Sequence, residues 1–199
     1  EAVKVLEGEI ANETSNVSDD FLLGVALSKV GRPADAITAL ERVTASDVAL
    51  PDELMRKYAK NLSLAITVEI VPGVVVELPF DSAGAAALLA EQYQREGRLE
   101  DAAALMEGLG EAGLAPEVAA ISLAELYFAL RRWDEVARVT DAVPNTDDLS
   151  AATLMYRGAA FVEQGLYESA LIALKEGLRC RKRAAPILDA AHFYRGRAY

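Results

Sequence analysis

Apolar residues along this chain recur at steps of three and four, interrupted at regular intervals by glycine. The clearest stretch runs from Ala86 to Met106. Leu88, Leu89, Gln92 and Tyr93 fall on one side of a helix, Gly97 breaks it, and Leu99, Ala102, Ala103 and Met106 mark a second helix of the same period. Two short amphipathic helices joined by a glycine turn cannot bury both apolar faces alone, so they need neighbours of the same kind. Thirty-four residues after Gly97 stands Arg131, in Arg131-Arg132-Trp133-Asp134-Glu135-Val136. A further 34 lead to Gly165, in Gly165-Leu166-Tyr167-Glu168-Ser169-Ala170. An upstream copy runs from Phe21 through Gly31 and Pro33 into residues 36–43. A fixed period of this length predicts stacked helix-pair repeats.

One unit breaks the pattern. Gly31 and Gly97 are 66 residues apart, two short of two periods, so an irregular unit lies between them. Its first half, residues 52–65, reads as a helix. Its second half alternates as strands do: Ile66-Thr67-Val68-Glu69-Ile70, then Val74-Val75-Val76-Glu77-Leu78, around Val71-Pro72-Gly73. The expectation is a β-hairpin near residues 66–79 with a three-residue loop, Val68 opposite Val76 and Thr67 opposite Glu77. A shifted pairing would set Glu69 against Glu77. Residues 2–10 read as the end of a helix, 12–20 as a polar loop rich in N-caps, and Asp81 or Ser82 as the cap of the next helix. Near the C-terminus Pro186 opens a helix in which Tyr194-Arg195-Gly196 repeats Tyr156-Arg157-Gly158.

These slots resemble the tetratricopeptide repeat family, whose motif places Leu-Gly, an aromatic, Ala, a bulky residue and a closing Pro in order. They fall on Leu23, Gly24, Leu27, Ala36, Leu40 and Pro51; on Leu89, Ala90, Tyr93, Ala102, Met106 and Pro116; and on Leu123, Ala124, Tyr127, Val136, Thr140 and Pro144. The last set is Gly158, Phe161, Ala170 and Leu174, with Arg157 in the leucine slot. The resemblance implies an all-α protein, a right-handed α-α superhelix with the hairpin inserted, and a bacterial member is expected. Residues 1–199 are expected to form a single repeat domain with units of about 17–51, 52–82 (irregular), 83–116, 117–150, 151–185 and a partial 186–199. In such repeats the first helices line a groove that binds a partner peptide or helix. The resemblance places Phe21, Glu91, Ile121, Glu125, Phe128, Met155 and Val162 on that face, where they either hold a partner segment or pack against neighbouring helices. The family's Lys, Asn and Arg clamp for a C-terminal carboxylate has no counterpart here.

Charge and composition narrow the function. The net charge of −11 argues against a general nucleic-acid binder, although residues 179–199 carry six basic groups (Arg179, Arg181, Lys182, Arg183, Arg195 and Arg197) against one acid, Asp189. No apolar run spans a bilayer, and the single cysteine, Cys180, fits a cytoplasmic protein. Cys180 and His192, the only histidine, lie on different helices without an oxyanion motif, so neither supports a nucleophilic enzyme; His192 is expected at a packing position. Zinc-type ligand spacing and a phosphate loop are absent. Glu69 and Glu77 are the one acidic pair with any claim on a metal, and Glu100/Asp101 and Asp134/Glu135 read as first-turn acids facing the helix dipole. The expectation is a non-catalytic scaffold with no cofactor and no metal, and with a protein or peptide as partner. The alternative is a homodimer formed through the hairpin edge or the charged ends.

Overall fold

The computed structural model describes residues 3, 4, 7, 8, 16–111, 115–141, 149–180 and 183–199. Of the helix expected over 2–10, the described residues are helical. The loop at 12–15, Pro144, Arg181 and Lys182 lie outside the described residues. Among the described residues the order is α1 (Val17–Lys29), α2 (Pro33–Ala45), α3 (Asp52–Leu62), β1 (Ile66–Val71), β2 (Val74–Leu78), α4 (Ser82–Arg95) and α5 (Leu99–Glu111). Then follow α6 (Pro116–Ala129), α7 (Trp133–Asp141), α8 (Ser150–Glu163), α9 (Tyr167–Gly177) and α10 (Ala185–Arg197). The chain divides into two compact units, Glu1–Val68 with Glu77–Leu105, and Glu69–Val76 with Met106–Tyr199.

The regular turns share one hydrogen-bonded device. Gly31, Gly97 and Gly165 take φ of 75°, 76° and 75°, and Arg131 takes the same left-handed slot at 58°. The next N–H bonds back to the carbonyl five residues earlier: Arg32 to Leu27 at 3.1 Å, Arg98 to Tyr93 at 2.8 Å, Arg132 to Tyr127 at 2.8 Å and Leu166 to Phe161 at 2.8 Å. That bond satisfies a helix-end carbonyl and turns the chain into the next helix. Close packing follows in the small-residue slot. A Cβ on Gly24 would lie 2.6 Å from Leu40 Cγ, and one on Gly158 would lie 2.5 Å from Leu174 Cγ. Both leucines are fully buried, so neither can give way. Gly196, in the echoed slot, meets nothing within 4 Å.

In the N-terminal unit, α1 starts where Asn16 accepts from the Ser18 and Asp19 amides while the Asp19 carboxylate accepts from the Asn16 amide, a capping box. Leu23, Leu27, Ala36 and Ala39 form its α1–α2 core, and Phe21 packs on Phe80 with ring centroids 4.8 Å apart. Helix α4 is entered through a tight corner. Asp81 caps it by accepting from the Ala83 and Gly84 amides at 3.1 Å each, and Asp52 accepts from the Ser82 amide and hydroxyl. A Cβ on Gly84 would lie 1.7 Å from the Pro79 carbonyl oxygen, so only glycine fits there.

The hairpin differs from the expectation in its turn. β1 extends through Val71, leaving Pro72 and Gly73 as the two turn residues, with Gly73 at φ 79°. Proline followed by a positive-φ glycine is the type II pattern. Val71 stays extended, which a residue before proline prefers, and the helical conformation that a three-residue loop demands of it is avoided. The Glu69 carboxylate accepts from the Gly73 amide at 2.7 Å. The tip packs within the C-terminal unit, where a Gly73 Cβ would meet Ala184 and Pro186 at the start of α10.

Successive repeats are also clasped through one recurrent slot. Tyr93 donates its hydroxyl to Glu41 at 2.8 Å, Tyr127 donates to Glu107, and Arg157 pairs with Asp141 at 2.6 Å. Glu41, Glu107 and Asp141 each stand ten residues beyond the left-handed turn position. The slot next holds Lys175, whose ammonium lies over the Tyr199 ring.

Two substitutions should move stability in opposite directions. Arg131→Gly relieves a left-handed side chain and should raise unfolding free energy by about 1 kcal/mol. Gly158→Val overpacks the α8–α9 contact and should cost about 1–3 kcal/mol. Urea unfolding midpoints check both; no change in either variant would refute the account of these slots.

Candidate functional site

In the C-terminal unit, four helices deliver aromatic rings to one place. Phe128, in the last turn of α6, has its centroid 4.9 Å from Trp133 at the start of α7, 5.8 Å from Tyr156 on α8 and 5.9 Å from Tyr194 on α10. Phe193 continues the group, 5.2 Å from Tyr194. The rings meet tilted or edge-to-face, arrangements worth about 0.5–1.5 kcal/mol per pair beyond area burial. Phe128, Trp133 and Tyr194 remain half-buried, and Phe193 is 62% exposed.

Polar groups fix the rings. The Tyr156 hydroxyl is bonded to the Glu125 carboxylate, one turn before Phe128, and burial, then this acid, push the Tyr156 phenol far above its ordinary value. Burial and the charge of Glu163 push Tyr194 up, opposed by Arg197. The Arg197 guanidinium pairs with Glu163 and lies 6.0 Å over Phe193 and 5.7 Å over Tyr194. Beside this face, Tyr127 on α6 is pushed up to about 12 by burial first and its bond to Glu107 second. The result is an apolar, partly open surface carrying one oriented cation and one bonded acid, suited to holding apolar or aromatic side chains.

The seven residues singled out in the sequence are distributed as follows. Glu125 and Phe128 stand at this face, and Val162 lies in the cluster against which Tyr194 packs. Ile121 and Met155 are buried. In the N-terminal unit Phe21 is fully buried on Phe80, and Glu91 is buried, accepting from Arg95 at 2.6 Å and from the Gln92 amide at 2.9 Å. Sequence reasoning missed Trp133, Tyr156 and Tyr194 as partners of Phe128. The repeated Tyr-Arg-Gly was the available signal, since both tyrosines of that echo converge on Phe128.

Other candidates offer less. His192 is exposed on α10 rather than packed, because the helix buries Ile187 and Ala191 instead. Cys180 Sγ lies 3.7 Å from the Glu176 carbonyl oxygen. Among the described residues no three of His, Cys, Asp and Glu gather as metal ligands. Two open clefts beside α9, about 560 and 320 Å³, share Ile172 and Glu176 and hold no converging buried polar groups.

A family model described as T7SS, ESX-1 secretion system protein EccA1, N-terminal domain, matches residues 60–198. The chain belongs to this family. A comparison with curated proteins finds no match. Among solved structures, MamA from AMB-1 in its P212121 crystal form is similar at a TM-score of 0.54 and 18% identity, over 92% of this chain and 84% of that one. The C2221 form gives 0.50 and 18%, over 90% and 88%. At that identity the likeness is one of fold: all-α, tetratricopeptide-like, with a two-stranded hairpin inserted. Among the described residues no helix is long and apolar enough to cross a membrane.

The buried phenols make stability sensitive to alkali. Below pH 10 folded and unfolded chains both keep the Tyr127 proton. Between 10 and about 12 the unfolded chain ionises first, so its contribution is lost as pH rises. Urea midpoints should therefore fall across that window, and less steeply in Tyr127→Phe; identical slopes would refute the assignment.

Proposed function

We propose that this chain is a non-catalytic protein-interaction scaffold whose C-terminal aromatic face takes an apolar segment of a partner protein. The observation that carries the reading is the half-open cluster of Phe128, Trp133 and Tyr194, held in place by the Glu125–Tyr156 bond and the Arg197–Glu163 pair. Buried aromatic anchors beside an oriented arginine are the residue types that dominate protein-binding energy. Glu125 and Phe128 would touch the partner, with Val162 supporting Tyr194 from within. Ile121, Met155, Phe21 and Glu91 would reach a partner only if it displaced the packing that covers them. The family's description names a type VII secretion protein, so the partner class we assign is a protein of such a system, met in the cytoplasm.

Trp133 is the only tryptophan and reports on the face directly. Titrating the whole chain with helical segments of type VII secretion proteins should shift its emission. Phe128→Ala and Tyr194→Ala should weaken binding about tenfold or more, as anchor truncations do. Ile172→Ala, on α9 and 69% exposed, removes none of the ring contacts and should not. Binding indifferent to Phe128→Ala would overturn the reading.

A second reading has its own observation: Val75 on β2 is 63% exposed, whereas Ile70 on β1 is buried. An open strand edge carrying an exposed valine suits pairing with a second copy. Light scattering should then give about twice 21.3 kDa, reverting to the single mass in Val75→Lys. A single mass at all concentrations would remove this reading.

A further inference from the structure

Helix α3 is the first helix of the irregular unit, and a β-hairpin follows it where a regular unit has its second helix. Of its eleven residues only Met55 and Ala59 are buried, whereas α8 buries eleven of fourteen. Leu54, Tyr58 and Leu62 recur at steps of four and are 46%, 51% and 64% exposed. They continue the arc begun by Met55 and Ala59, so α3 has an apolar stripe wider than its own unit covers. Three exposed cations share this helix, Arg56, Lys57 and Lys60, within a chain of net charge −11. Arg56 pairs with Asp81 at 3.4 Å, but Lys57 and Lys60 form no ion pair among the described residues.

We propose that the exposed stripe of α3 is a docking site for an acidic amphipathic helix of a partner protein. The apolar spacing of Leu54, Tyr58 and Leu62 is the ridge against which a helix packs with its own residues at steps of three and four. The shape called for is a helix, because that is what covers the first helix in the regular units, as α9 covers α8 through Gly158 and Leu174. The charge called for is negative, because Lys57 and Lys60 stand exposed beside the stripe in the later turns of α3, past its two first-turn acids, Asp52 and Glu53. The site lies on the N-terminal unit and is independent of the Phe128 face.

The test uses the whole chain and a fluorescein-labelled synthetic helix with leucine at steps of three and four and glutamate flanking, beside a second peptide with lysine replacing each glutamate. Anisotropy should show binding of the acidic peptide alone, weakening as salt is raised through the range where exposed charges are screened. Tyr58→Ala should weaken it about tenfold, the usual scale for an aromatic anchor. The double change Lys57→Glu with Lys60→Glu should reverse the preference to the lysine peptide. All three side chains are exposed, so melting temperatures should stay at the wild-type value and show that the variants fold. Equal binding of both peptides, or acidic-peptide binding lost in Phe128→Ala but kept in Tyr58→Ala, would overturn the proposal. So would a dimer in solution that Tyr58→Asp dissolves, since a second copy would then be the occupant.

Discussion

A single backbone hydrogen bond recurs wherever this chain reverses between paired helices. The amide after each left-handed residue reaches the carbonyl five positions back, at 2.8 to 3.1 Å, and every regular helix pair inherits its geometry from that closure. The bond requires positive φ at one position, which is why three of four such positions are glycine and why Arg131 stands out. Once the reversal is fixed, the two helices approach so closely that a leucine from the second fills the space a side chain would occupy on the first. Gly24 with Leu40 and Gly158 with Leu174 are the same contact in two repeats. Local backbone chemistry thus sets tertiary packing.

Between repeats the logic changes from packing to charge. The slot accepts from a phenol at Glu41 and Glu107, where Arg98 and Arg138 also pair with the acid, and from the Arg157 guanidinium at Asp141; where the slot becomes Lys175 the partner becomes an aromatic face. The position keeps its purpose, joining one unit's second helix to the regular unit that follows, while the donor and acceptor types are exchanged. Around Phe128 the same means serve another end. Glu125 and Arg197 occupy acid and base positions, but they brace aromatic rings that are left partly open.

Much of the fold was legible because period and glycine act over short range. Gly97, Arg131 and Gly165 marked the reversals, and alternation marked the strands from Ile66 to Leu78. The hairpin turn was misjudged by one residue, since Val71, before proline, keeps the extended conformation and a three-residue loop would ask it to turn helical. The candidate face was half legible. Phe128 and Glu125 could be placed from their repeat positions, but Trp133 and Tyr194 arrive from helices whose meeting depends on how successive pairs stack, for which the echoed Tyr-Arg-Gly was a signal at Tyr194 and nothing was at Trp133. His192 was misplaced for a related reason. The helix carrying it has almost no amphipathic contrast, so its buried side cannot be read from its own residues.

The strand tip carries a consequence for how the protein comes to be folded. Residues Glu69–Val76 belong with Met106–Tyr199, yet they are synthesised before every residue of the segment they join. Gly73 meets Pro186 across more than a hundred intervening residues, in a fold whose other contacts are mostly local. Closing so long a loop is slow relative to forming neighbouring helix pairs. The helix pairs would therefore assemble first, and the tip would dock last, on a helix near the end of the chain. Assembly of this chain is thus not a simple progression from one end to the other, and no cut between residues 68 and 106 yields two self-sufficient halves.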